Sequence, residues 1–95
     1  MKLEIYQADN DNPLKFRGIN ADKIHRIPLV GYSKVWDGEI EEDENIFYTL
    51  EKVFIIFNDR HPKGFKGHSL SVSDIVRLGD RYFYCQPVGW QEIDI

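Results

Sequence analysis

The fold class this chain predicts is α+β: a mostly antiparallel sheet of about four to six short strands, with one main helix packed on one face. Three observations predict it. Apolar residues between Ile46 and Phe57 recur at helical spacing, several shorter runs alternate apolar and polar residues, and turn formers separate those runs. Ninety-five residues form a single domain, 1–95. Scaling of surface with mass gives roughly 5,700 Å² of folded surface, enough for one core.

Leu3 and Ile5 alternate with Lys2, Glu4 and Tyr6, the period of a half-buried strand. Asp9-Asn10-Asp11-Asn12-Pro13 then breaks it with turn formers. Leu14 and Phe16 alternate with Lys15 and Arg17, which predicts a second short strand in a hairpin with the first. Asn20 is placed to cap a short helix through about His25, ended before Pro28. Tyr32 to Gly38 reads as a third strand, with Val35 and Trp36 on opposite faces.

The main helix runs from about Asn45 to Phe57. At about 100° per residue, Ile46, Phe47, Leu50, Val53, Phe54 and Phe57 fall within an arc of about 120°, the width of a core-facing stripe. Tyr48 and Ile55 lie on the opposite side with Glu51 and Lys52, where polar residues are expected. They are candidates for partner contact, although isolated exposed apolar residues are also ordinary. Ile75 to Leu78 and Arg81 to Gln86 form the clearest hairpin, joined by Gly79-Asp80. Phe83 and Cys85 face one side of it, Tyr82 and Tyr84 the other. Pro87 ends that strand, and Trp90 to Ile95 restarts as the last one.

Net charge is −4, which argues against a dedicated nucleic-acid binder. Charge is unevenly spread: Asp37, Glu39, Glu41, Glu42, Asp43 and Glu44 precede the helix, while Arg60, His61, Lys63, Lys66 and His68 follow it. The acidic run suits a solvated loop at a helix N-terminus. The basic loop 60–68, opposed in charge, suits steering of a protein partner. Cys85 stands alone and reads as a small buried hydrophobe. The start, M-K-L-E-I-Y, lacks the apolar core of a signal peptide, and no run of apolar residues is long enough to span a membrane. A cytoplasmic location is expected.

Chemistry-bearing residues concentrate between Pro62 and Val76. His68, Ser69 and Asp74 supply the residue types of a hydrolytic triad, but adjacent histidine and serine point to opposite sides of an extended chain and no nucleophile elbow is present. Ser71-x-x-Asp74 instead has the spacing of a capping box, with Asp74 expected to accept backbone hydrogen bonds at a tight turn. Gly67, Ser69, Ser71, Ser73 and Asp74 are accordingly read as a structural motif. Gly64-Phe65-Lys66-Gly67 matches the G-x-x-G loop of KH domains, but that loop joins two helices, and here turn and strand follow. His61 and His68, without a cysteine or third histidine nearby, are a weak ligand set, so no metal or other cofactor is expected.

Phe65-x-Gly67-x-Ser69-Leu70-Ser71-Val72-Ser73-Asp74-Ile75-Val76, with Tyr82-Phe83-Tyr84-Cys85 and Gly89-Trp90, resembles the signature of the YodL-like domain. Tyr32-x-x-Val35-Trp36-x-Gly38-Glu39 is similar to the strand that precedes that family's helix. The resemblance implies a small cytoplasmic bacterial module, common in Firmicutes and their mobile elements, and supplies no catalytic residue set. Two positions depart from the family pattern: Gln86 stands where an acidic residue is expected, and Trp90 where phenylalanine is usual. The function expected is a non-catalytic module acting on a protein partner, with Tyr48, Ile55, Arg60, Lys63, Lys66 and His68 as candidate contact residues. The alternative is weak nucleic-acid contact through Arg60, Lys63, Lys66 and Arg77.

Overall fold

The structure is a computed structural model describing residues 1–95. The chain runs β1 (Lys2–Ala8), β2 (Tyr32–Glu39), α1 (Ile46–Asp59), β3 (Ile75–Leu78), β4 (Arg81–Cys85) and β5 (Trp90–Ile93). All five strands join one sheet in the order β2-β1-β3-β4-β5, with every neighbouring pair antiparallel. The first strand therefore lies inside the sheet, between β2 and β3, and both its faces are covered. The hairpin between β3 and β4 closes where the sequence predicts: Leu78 pairs with Arg81, and Gly79 takes φ 61. Positive φ at the first turn residue is what a two-residue hairpin of this hand requires.

Side chains alternate between two cores. Leu3, Ile5, Val76, Leu78 and Phe83 of the sheet join Leu50, Val53 and Phe57 of α1 and Leu70 in one buried cluster. Burying these branched and aromatic side chains is the main source of stability, of order 1.5–3 kcal/mol each. Phe57 meets Trp36 edge-on with ring centroids 5.5 Å apart, and meets Phe65 at 5.0 Å. On the opposite face Ile75, Tyr84 and Ile93 cluster with Ile27, under Leu14, Ile19 and Leu29 from the segment between β1 and β2. The helix begins at Asn45, whose side chain accepts from the Phe47 amide at 2.9 Å. The acidic residues before it are held to α1: Asp43 N–H donates to Thr49 Oγ1, and Lys52 pairs with Asp43 at 3.2 Å.

Three local expectations are corrected. Leu14–Phe16 is a turn and not a strand, because the Asn12 side chain accepts from Leu14 N and the Phe16 amide is taken by Ser73 Oγ. Asn20–His25 is a single turn in which Lys23 and Ile24 both bond back to Asn20 O, too short for a helix. Val35 and Trp36 do not lie on opposite faces. The pairing of β1 with β2 slips between Ile5 and Tyr6, so that Val35 is an extra residue in β2 and both it and Trp36 pack against the helix-side core.

Glu4 is buried on the face away from α1, at 3% exposure. Burial alone would raise its carboxyl, but the Tyr6 hydroxyl at 2.7 Å, Lys34 at 3.1 Å and Arg77 at 3.2 Å hold it down to about 2. Its folded value lies below the unfolded one, so its stabilisation is complete above about pH 4.5 and lost as pH falls toward 2. Glu4→Gln should flatten that acid limb, removing on the order of 1–3 kcal/mol of pH-dependent stability in denaturant titrations run between those values. An acid limb unchanged in the variant would contradict the assignment.

Candidate functional site

The basic loop and the serine block are fixed to the sheet by one side chain, Gln7 of β1, itself 4% exposed. Its Oε1 accepts from His68 N at 3.1 Å, and its Nε2 donates to His68 O at 2.9 Å and to Asp74 Oδ2 at 3.0 Å. Gly67 is required beside it, because a Cβ there would lie 2.2 Å from Gln7 Oε1. Asp74 Oδ2 also accepts from Ser71 N at 2.8 Å, and Asp74 N donates to Ser71 O, which closes the turn expected from the Ser71-x-x-Asp74 spacing. Ser73 adopts φ 85; its amide donates to Cys85 O, its hydroxyl accepts from Phe16 N, and its carbonyl accepts from Tyr32 Oη at 2.8 Å. Ser71 Oγ donates to Ser69 O.

No triad geometry forms among these groups. His68 Nδ1 lies 2.7 Å from Ser69 O, and Gln7 separates the ring from Asp74. The imidazole leans on Phe16 at 5.4 Å, whereas His61 leans on Phe65 at 5.5 Å. The Gly64–Gly67 segment joins a helix to a strand, unlike a KH loop.

Arg60, Lys63, Lys66 and His68 are exposed, and none of the ion pairs within 4 Å uses them. Lys66 is positioned by its own backbone, whose amide donates to the carbonyl of the bulged Val35 at 3.3 Å. It lines two shallow concavities of about 270 and 260 Å³, the second shared with His68, Lys15 and Gln7. Arg77, by contrast, is committed to Glu4, Gly79 O and Asp80, and it does not join the basic loop as a free cation.

Tyr48 and Ile55 stand on the outer face of α1 at 65% and 58% exposure, one on each side of Glu51 along the helix. Glu51 and Phe54 in turn form one wall of the largest cleft, about 460 Å³. Val72, Cys85, Pro87 and Trp90 form the rest of its apolar surface, and Phe54 meets Trp90 edge-on at 6.5 Å. Burial, then the charges of Asp74 and Glu51, push the Cys85 thiol up to about 12, so it is a neutral wall residue and no nucleophile.

The family model of the YodL-like domain matches residues 2–95. The chain belongs to the YodL-like domain family. No curated protein and no solved structure matches it. The stretch from Phe65 to Val76 holds the residues that Gln7 anchors and the turn that Asp74 closes. At Gln86 the carboxamide accepts from Ile19 N and donates to Ile19 O, both at 2.9 Å. A carboxylate at that position of a YodL-like domain has no hydrogen for the Ile19 carbonyl. Sequence reasoning missed Gln7 and the cleft, and it singled out Gln86 without finding its hold on Ile19. Gln7 gave one signal, a polar residue at an inward position of a strand that otherwise reads Leu3, Ile5.

Asp74 Oδ1 is buried without a hydrogen-bond partner. Burial, only partly offset by Ser71 and Gln7, raises its carboxyl to about 6. Folding thus favours the protonated acid, and the stabilisation is complete below about pH 3.8 and lost as pH rises through about 6. Asp74→Asn should remove this slope. At pH 4.5 Asp74→Ala should cost about 1–3 kcal/mol, because Ser71 N–H and the Gln7 amide lose a buried acceptor. Thermal or urea midpoints across pH 4–7 check both, and an Asp74→Ala midpoint equal to the parent's would remove the structural role.

Proposed function

We propose that this YodL-like domain is a non-catalytic protein-interaction module that docks a partner on the outer face of α1 and the cleft beside it. The observation that carries this reading is the pairing of exposed Tyr48 and Ile55 with a 460 Å³ cleft walled by Phe54, Val72 and Trp90. Scattered single hydrophobics need no explanation, but an aromatic and a branched aliphatic side chain one helical turn either side of Glu51, which lines the apolar cleft, offer a contact surface beside it. The unpaired cations of the basic loop, Arg60, Lys63 and Lys66, fit the polar margin of such a contact, where charge sets encounter rate and orientation. The setting that goes with this reading is the bacterial cytoplasm, in a mobile element or related locus, as the family resemblance implies. No helix of the chain is long and apolar enough to cross a membrane.

A second reading, weak nucleic-acid contact, has one observation in its favour. Arg60, Lys63 and Lys66 are exposed without carboxylate partners, whereas Asp43 of the acidic run is neutralised by Lys52. Against it stands the net charge of −4.

Two measurements separate the readings. Affinity capture with the parent chain and with Tyr48→Ser/Ile55→Ser should return a protein partner only with the parent, and identical partners on both baits would refute docking on α1. Lys63→Glu/Lys66→Glu should weaken capture in a salt-dependent way, most at low salt, with no retention of either chain on a nucleic-acid column at moderate salt. Retention that this charge reversal abolishes would favour the second reading.

A further inference from the structure

The cleft beside α1 has a polarity that its apolar walls do not explain. Glu51 stands at its edge with no cation within 4 Å, although the surrounding surface carries many ion pairs. Other polar groups of the wall are already occupied: Ser71 bonds Ser69 O and Asp74, and Gln86 bonds Ile19 and Gln91. Glu51 is thus the one charged side chain in the lining, and it is free of any ion pair. Burial comes first in disfavouring a thiolate at Cys85, and the charges of Asp74 and then Glu51 add to it, so a negative potential reaches into the cleft. That potential, unlike burial, favours a cation. The aromatic rings of Phe54 and Trp90 add the negative faces that attract a cation and the flat area that covers an aliphatic stem.

Resting on the docking reading above, we infer that this cleft takes a long cationic side chain, arginine foremost, from the partner that covers Tyr48 and Ile55. The stem of that side chain lies against Phe54, Val72 and Trp90, and its guanidinium faces Glu51. Arginine suits the site better than lysine because a planar guanidinium both stacks on an indole and bonds a carboxylate with two parallel hydrogens. Trp90 offers the largest π face among the side-chain types, which suits cation binding.

The test is a titration of the isotope-labelled full chain with Nα-acetyl-arginine-N-methylamide, followed by NMR at the Trp90 indole and the Gly89 amide. The norleucine and glutamate analogues run in parallel. Saturable shifts are expected with the arginine compound, weaker ones with norleucine and none with glutamate. Glu51 is exposed, so Glu51→Gln and Glu51→Lys should fold; the first should weaken arginine binding about threefold and the second more. Absence of a saturable shift at millimolar ligand, norleucine binding equal to arginine, or Glu51→Lys binding as the parent does would each overturn the assignment. Tyr48→Ser/Ile55→Ser keeps the cleft and should still bind the arginine compound. If that titration succeeds while partner capture ignores Tyr48 and Ile55, the docking reading fails alone. If capture depends on them and the titration fails, only the cationic cleft is lost.

Discussion

The carboxamide of Gln7 fixes where the long loop after α1 can go. A carboxamide presents a donor and an acceptor side by side, and so it pairs with the N–H and C=O of one residue as a neighbouring strand would. Gln7 does this to His68 from inside the sheet, then spends its second hydrogen on Asp74. The loop arrives at β3 with its register set, Gly67 pressed against the anchor and Ser73 held in a left-handed conformation that serine rarely adopts. Gln86 repeats the device on the other face, reading both backbone groups of Ile19. Two irregular segments without ladders of their own are thereby given the hydrogen bonds that strands would have supplied.

Features governed by local signals were legible in the sequence. The apolar stripe of α1 and the Gly79-Asp80 turn depend on neighbours in the chain, and both form, except that Phe47 in the first helical turn is left 45% exposed. Tyr48 and Ile55 were legible because they break the helix's own pattern, and both are exposed. Features set by distant partners were not. Leu14–Phe16 alternates like a strand, but the Phe16 amide belongs to Ser73, 57 residues on. The extra residue at Val35 exists only relative to β1 and cannot be seen in β2 alone. His68 and Asp74 were singled out while their shared partner lay 61 and 67 residues upstream. The cleft draws its walls from α1, the Ser71-Val72 turn and both ends of the β4–β5 connection, which no spacing rule joins.

Two buried carboxylates show how surroundings decide the role of one chemical group. Glu4 sits among Tyr6, Lys34 and Arg77 and stays ionised as a hub linking β1, β2 and β3. Asp74 has amide donors on one oxygen only, and the low polarity around the other favours the neutral acid. The first organises charges across strands, and the second holds a turn while keeping its proton to a higher pH than a free aspartate does.

The bulge at Val35 has a consequence for the sheet as a whole. Strands at a sheet's borders invite pairing with another molecule's strand, the route to domain exchange and fibrils. On one border the outward carbonyl of Val35 is taken by the Lys66 amide. On the other, Asp94 just past β5 is bracketed by His25 O and Ile27 N, in a parallel bridge at Arg26. Each border thus carries a loop bonded across part of it, at Val35 on one side and at Asp94 on the other, which shortens the free edge open to a strand from another molecule.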